Sequence, residues 1–297
     1  MGRFKHRRDR RRLWGPLRNR PVRYVGVAPA LVTMLNGICG FASILLASKA
    51  GQSDAGYDYM ALAGYMILLA MLADALDGSL ARMSHTTSSF GGQLDSLCDM
   101  ISFGAAPAFL MLRIVHQGLA IQGLGHQSLY ERLVLLAGLT YLCCTAIRLA
   151  RFNVEHMGER SDHSGFVGLP SPAAAGVVVS LVIFYVEIAQ AKALLCGLPV
   201  ATAASGILMV SRVPYPHVLN QYIVGKKPFS HLIKILALLA ILVAAKPQTT
   251  LLVAFCGFAA AFPIKALYLK LLHKPIAASQ TNNLQAESAS DLPQVFS

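Results

Sequence analysis

Charge is scarce in this chain: only 13% of the residues are Asp, Glu, Lys or Arg, against roughly a quarter in a soluble domain. Hydrophobic residues make up 55%, and that balance excludes an ordinary water-soluble globule. Strand-length alternation of apolar and polar residues is missing too, which argues against a transmembrane β-barrel. Cysteine is unpatterned. Cys39, Cys98, Cys143, Cys144, Cys196 and Cys256 form no CxxC and no Cys/His cluster, so neither a zinc site nor a disulfide framework is expected. They read as small apolar packing residues. No internal repeat is visible, and no small-residue cleavage site comes after the first apolar run, so a removable signal peptide is not expected.

What the chain has instead is long apolar runs. Eight can be traced: 29–48, 58–83, 92–115, 129–152, 172–190, 193–212, 231–246 and 248–272. Crossing the ~30 Å hydrocarbon core takes about 20 residues of helix. The seventh run is short and only Lys246-Pro247 divides it from the eighth, so a re-entrant pair stays open there. The expected fold is all-α, a polytopic membrane helix bundle of about eight transmembrane helices over 29–272. A basic arm, 1–28, precedes it. The polar tail, 273–297, is rich in Ser, Asn and Gln and reads as disordered.

Positive charge is concentrated at one end. Residues 1–23 hold ten Lys/Arg against the single acid Asp9, within a net charge of +12. Nucleic acid is one partner for such an arm. A basic stretch directly before a first span more often sets topology and touches anionic lipid, and no nucleic-acid partner is expected. Both termini are then cytosolic, with the loops near 83–91, 153–171 and 213–230, in an integral protein of the cell's inner (cytoplasmic) membrane.

Against this background the stretch 71–104 is anomalous, because it holds Asp74, Asp77, Asp95 and Asp99. An ionised carboxylate inside a span costs ~2.5–3.5 kcal/mol on insertion scales unless it is paired or wet. Placing the four in a solvated loop fails on spacing. Asp74, Asp77, Gly78 and Ala81 lie on one helical stripe, and Gly91, Asp95 and Asp99 repeat every four residues, with Ser102 next. Two helices joined by the polar turn "MSHTTSS" therefore each present two carboxylates, toward their cytosolic ends. Four like charges facing one another call for divalent cations, and hard oxygen ligands favour Mg²⁺, Mn²⁺ or Ca²⁺ over zinc. A paired cation site suits in-line transfer at phosphorus. Gly78 costs the helix roughly 1 kcal/mol relative to alanine, which close approach of a bulky anion would justify. Arg82 is placed to hold a phosphate oxygen.

The pattern Asp74-x2-Asp77-Gly78-x2-Ala81-Arg82-x8-Gly91-x3-Asp95-x3-Asp99 resembles in full the signature of the CDP-alcohol phosphotransferases. The stretches "LDSLCDMISFGAAPA", "RLARFNV", "GLPSPAAAG" and "LMVSRVPYP" resemble the branch of that family whose acceptor is serine. The resemblance covers about 29–230 and implies a donor, CDP-diacylglycerol, an acceptor, L-serine, and a product, CMP. It implies two divalent cations, Mg²⁺ or Mn²⁺, on Asp74, Asp77, Asp95 and Asp99, with Asp99 also the base for the acceptor hydroxyl. Gly78, Ala81, Arg82 and Ser88 would contact the CDP-lipid. The first span departs from the family's Pro-Asn-x-x-Thr at Ala30, leaving Thr33 and Asn36 as candidates for the same role. A homodimer is implied by the resemblance alone.

A serine acceptor needs a cation for its carboxylate. Arg148 and Arg151, three apart near the cytosolic end of the fourth run, are candidates, with Arg212 a third; the competing reading is anchoring by snorkelling arginines. Asn153 reads as a ligand contact or a helix-end residue. Pro170 and Pro172 shape the entry to the fifth run, and His163 reads as solvated. Two alternatives are kept: the same reaction class with another acceptor alcohol or an archaeal-type lipid donor, and a cation transporter, which would want its carboxylates near the midplane.

Overall fold

The computed structural model describes residues 27–50, 56–84, 89–121, 128–157, 168–211, 213, 215 and 247–272. The last two residues of the arm, Val27 and Ala28, belong to the first helix, while the arm up to residue 26, the tail, the run 231–246, Ser88, His163 and Arg212 lie outside the described residues. Every regular element within them is helical. In chain order these are α1 (Val27–Lys49), α2 (Gly56–Ser84), α3 (Ser89–Asp99), a π-helical turn (Met100–Ala105), α4 (Ala106–Ile121), α5 (Ser128–Met157), α6 (Ser171–Glu187), α7 (Lys192–Val210) and α8 (Pro247–Leu272).

Six helical stretches among the described residues are long and apolar enough to cross a membrane, with α3, the π turn and α4 acting as one. These match six of the eight apolar runs. The fifth run becomes α6, which at 17 residues is about 25 Å long and is shorter than the run that announced it. Its Val177, Val178, Val179, Val182 and Ile183 are all buried. A helix apolar on every side belongs in an interior, and α2, α7 and α8 pack around this one.

The outer helices reverse the logic of a soluble protein. On α1, Leu31, Leu35, Ile38 and Leu45 are exposed, while Thr33, Asn36, Ser43 and Ala47 are buried. Lipid is as apolar as leucine, so the bulky residues face outward and small or polar ones make the helix contacts. Gly40 belongs to that inner stripe. A Cβ there would stand 2.6 Å from Cα of Ser102, so glycine is what allows α1 to touch the π turn backbone to backbone.

The π turn comes directly after Asp99. Such a turn inserts one residue into the helical ladder and rotates the next helix by about 100°, so α4 leaves on a different face from α3. Hydroxyl bonds between the turn and neighbouring helices pin it. The buried Tyr141 on α5 donates to the Phe103 carbonyl at 2.8 Å, and Ser102 donates to the Asn36 carbonyl at 2.8 Å. Ser102 thus serves α1 instead of continuing the Asp95–Asp99 stripe.

The segment leading into α6 is threaded inward. Gly168, at φ 99°, donates its N–H to the Val213 carbonyl at 2.9 Å, and Leu169 donates to Leu208 at 3.0 Å. A positive φ is cheap only for glycine, and here it turns the chain so that Leu169 is fully buried. Pro170 and Pro172 then open α6.

Candidate active site

The regularity of α2 and α3 brings the acids together. Carboxylate oxygens of Asp74, Asp95 and Asp99 lie within 4.8 Å of one another. By length and composition the apolar stretch of α2 ends at Asp77 and that of the α3–α4 helix begins at Phe90, so Asp74 and Asp95 lie near the ends of their apolar stretches and Asp99 lies further along its own. At an effective dielectric of 20, two ionised carboxylates this close repel by at least about 3 kcal/mol. The set is three hard oxygen donors, partly buried, with a fully buried Asn36 side-chain oxygen that has no hydrogen-bond partner among the described residues. That chemistry fits a hard divalent cation and does not fit a soft one.

Asp77 stands beside this group and is engaged differently. The buried Thr33 hydroxyl donates to its Oδ2. Three residues along α1, Asn36 Nδ2 donates to Asp99 Oδ1 at 2.9 Å. Asp77 and Asp99, the two carboxylates held from α1, are each 8% exposed. Asp74 and Asp95 are half-buried.

The positive partner comes from α5. Arg148 Nε donates to the Leu169 carbonyl at 2.9 Å and Nη1 to the Ser171 hydroxyl at 3.0 Å, which fastens the inward segment to α5. The same guanidinium interacts electrostatically with Asp74 and Asp99. One turn on, Arg151 is exposed. Asn153 accepts a hydrogen bond from Ser96 of α3 at 3.0 Å, so it ties α5 to the acid-bearing helix.

The structure therefore brings together Asp74, Asp77, Asp95, Asp99, Thr33, Asn36 and Arg148. Gly78, Ala81 and Arg82 lie on the last turns of α2, in helical backbone, with side chains outside the described residues. Ser171 and Ser96 carry hydrogen bonds at the site's edge that sequence pattern does not announce. "GLPSPAAAG" contains the first of them, but a serine between two prolines reads locally as a helix start, and nothing local names an arginine 23 residues away.

A sequence profile of the CDP-alcohol phosphatidyltransferase family matches residues 26–215, from α1 through the end of α7 and over every acid above. The chain belongs to this family. Similar proteins include a CDP-diacylglycerol–serine O-phosphatidyltransferase of Methanocaldococcus jannaschii, 34% identical over 193 residues, covering 64% of this chain and 74% of that one. The enzyme of the same name from Bacillus subtilis is 30% identical over 189 residues, 64% of this chain and 89% of its own. An archaetidylserine synthase of Methanothermobacter thermautotrophicus is 35% identical over 194 residues, 64% and 70%. The match takes in the stretch that holds Asp74, Asp77, Asp95 and Asp99, and α8 falls beyond it.

Proposed function

We propose that this chain transfers the phosphatidyl group of CDP-diacylglycerol to the hydroxyl of L-serine, giving phosphatidylserine and CMP. The observation that carries the reading is the three-carboxylate group, within a chain that matches the family and is similar to serine-named relatives. In the reaction the serine oxygen forms a bond to the phosphorus bearing diacylglycerol, the bond from that phosphorus to CMP breaks, and the serine proton passes to Asp99. With Asn36 on Oδ1, the other oxygen of Asp99 is the one that takes the proton. General-base help of this kind is worth about 10²–10⁴-fold. Asp74, Asp77, Asp95 and Asp99 would hold two divalent cations, Mg²⁺ or Mn²⁺, which supply positive charge to the diphosphate when bound.

The remaining roles are assigned on chemistry. Gly78 gives a bulky diphosphate access to the α2 backbone, with Ala81 beside it, and Arg82 and Ser88 hold phosphate oxygens. Arg148, already fixed by Leu169 and Ser171, is oriented for the serine carboxylate, with Arg151 and Arg212 as further candidates. The basic arm 1–28 places both termini and the site on the cytosolic face of the inner membrane. Residues 29–272 form the catalytic domain, 273–297 a tail, and the enzyme works as a homodimer.

A second donor has specific support, since one relative is named for archaetidylserine. Incubating the purified chain with radiolabelled serine and either donor, beside glycerol phosphate, inositol phosphate and choline as acceptors, tests both substrates. Label should enter lipid from CDP-diacylglycerol and serine. Equal turnover with another acceptor would remove serine from the reading, and turnover confined to the ether-lipid donor would replace CDP-diacylglycerol.

A further inference from the structure

One face of α1 meets the acid-bearing helix, and it carries two kinds of residue. Gly37 and Gly40 provide close approach: a Cβ on Gly37 would stand 3.0 Å from Cys98 Sγ, and one on Gly40 2.6 Å from Ser102 Cα. Thr33 and Asn36 provide donors, one to Asp77 and one to Asp99. The spacing 33, 36, 37, 40 is one helical stripe, so approach and donation are coupled. The Ser102 hydroxyl bonded to the Asn36 carbonyl locks the register between that stripe and the turn after Asp99.

Each donor takes the more buried member of its aspartate pair. The group that converges within 4.8 Å holds Asp74, Asp95 and Asp99, and Asp77 is not among its members. The Asn36 amide is fully buried, yet its oxygen has no partner among the described residues. Burying an unsatisfied acceptor is costly, and the bond that offsets this cost is the amide's donation to Asp99. An amide in that setting is held for its donor. Turning it round would set its oxygen against a carboxylate.

We propose that Thr33 and Asn36 are positioning residues that fix Asp77 and Asp99 for cation binding, and are not contacts of the CDP moiety. This rests on the metal reading above. Partners of this kind orient metal ligands, and losing one weakens metal affinity by about 10–100-fold. Thr33→Val keeps shape and removes the donor; Asn36→Leu does the same in an apolar setting. Thr33→Ser restores the hydroxyl.

The test is Mn²⁺ binding to the full chain in detergent, read as the loss of free-Mn²⁺ electron paramagnetic resonance signal, with helix content and thermal midpoint monitored in parallel. Thr33→Val and Asn36→Leu should each weaken Mn²⁺ binding by about 10–100-fold, with Thr33→Ser close to the unchanged protein. Unchanged Mn²⁺ affinity with weakened CDP binding in the two variants would overturn the proposal and return these residues to the nucleotide. Unchanged Mn²⁺ affinity with a lowered thermal midpoint would make them packing residues only, and would equally overturn it. No turnover is read, so a wrong acceptor leaves the result intact; an unchanged protein that binds no Mn²⁺ would overturn this proposal and the metal reading together.

Discussion

At the scale of single residues, Asp99 carries two assignments that one substitution separates. It converges with Asp74 and Asp95 and is held by Asn36. Asp99→Asn should remove about 10²–10⁴ of kcat, and excess Mn²⁺ should restore only part of the rate. Full rescue by Mn²⁺ would leave Asp99 a ligand and no base. Asp95→Asn is the control, as a ligand with no proton to take. Arg148 offers a second separation. Lysine keeps the charge but lacks the fork that reaches Leu169 and Ser171 together. Bonds to charged groups are worth ~1.5–3 kcal/mol, so Arg148→Lys should raise the serine KM about 10–100-fold and leave the lipid KM nearly unmoved. An unchanged serine KM would make Arg148 a clamp and shift the acceptor site toward Arg212. The acids are legible in the sequence because their three- and four-residue spacing is a local signal. Thr33 and Asn36 are named there only as candidates for the CDP-lipid, and which acid each one meets is not legible: Thr33 and Asp77 are 44 residues apart, Asn36 and Asp99 63, and local pattern says nothing about which helices become neighbours.

At the scale of elements, α1 touches the π turn at Gly40 and holds Asp99 through Asn36. Gly40→Ala would push a Cβ into Ser102, and overpacking of this kind costs about 1–3 kcal/mol. The expected result is a lowered thermal midpoint in detergent together with lost activity, because α1 retreats and takes Asn36 with it. A variant of unchanged midpoint and rate would mean that the two helices are not in close contact. The helices themselves can be read from the sequence because a membrane span is dictated by length and apolarity, and the run 92–115 passes unbroken through α3, the π turn and α4. The π turn cannot. Inserting one residue into a ladder changes hydrogen bonding without changing composition, and what holds it here is distant in sequence: the Tyr141 hydroxyl donates to the Phe103 carbonyl of the turn, and the turn's own Ser102 donates to the Asn36 carbonyl of α1. The fifth run likewise announces a span, but its burial among α2, α7 and α8 is set by packing and is invisible in a series of apolar residues.

At the scale of the whole molecule, α1 turns bulky residues such as Leu31, Leu35 and Ile38 outward, the interior mixes small residues with large ones such as Tyr141 and Phe103, and the acids of α2 and α3 converge. In the proposed reaction a lipid substrate would keep its chains in the bilayer while its diphosphate meets the carboxylates. A transport pathway would place the acids near the midplane, whereas by length and composition the apolar stretch of α2 ends at Asp77. The central claim is that this acid group, loaded with cations, runs serine-dependent cleavage of a CDP-lipid. The most direct measurement is CMP release from CDP-diacylglycerol by the purified chain in detergent, with and without serine, in chelator and after adding back Mg²⁺ or Mn²⁺. The account predicts release only when serine and a divalent cation are both present, and none from Asp74→Asn under any of these conditions. Serine-dependent release at full rate in chelator would contradict it.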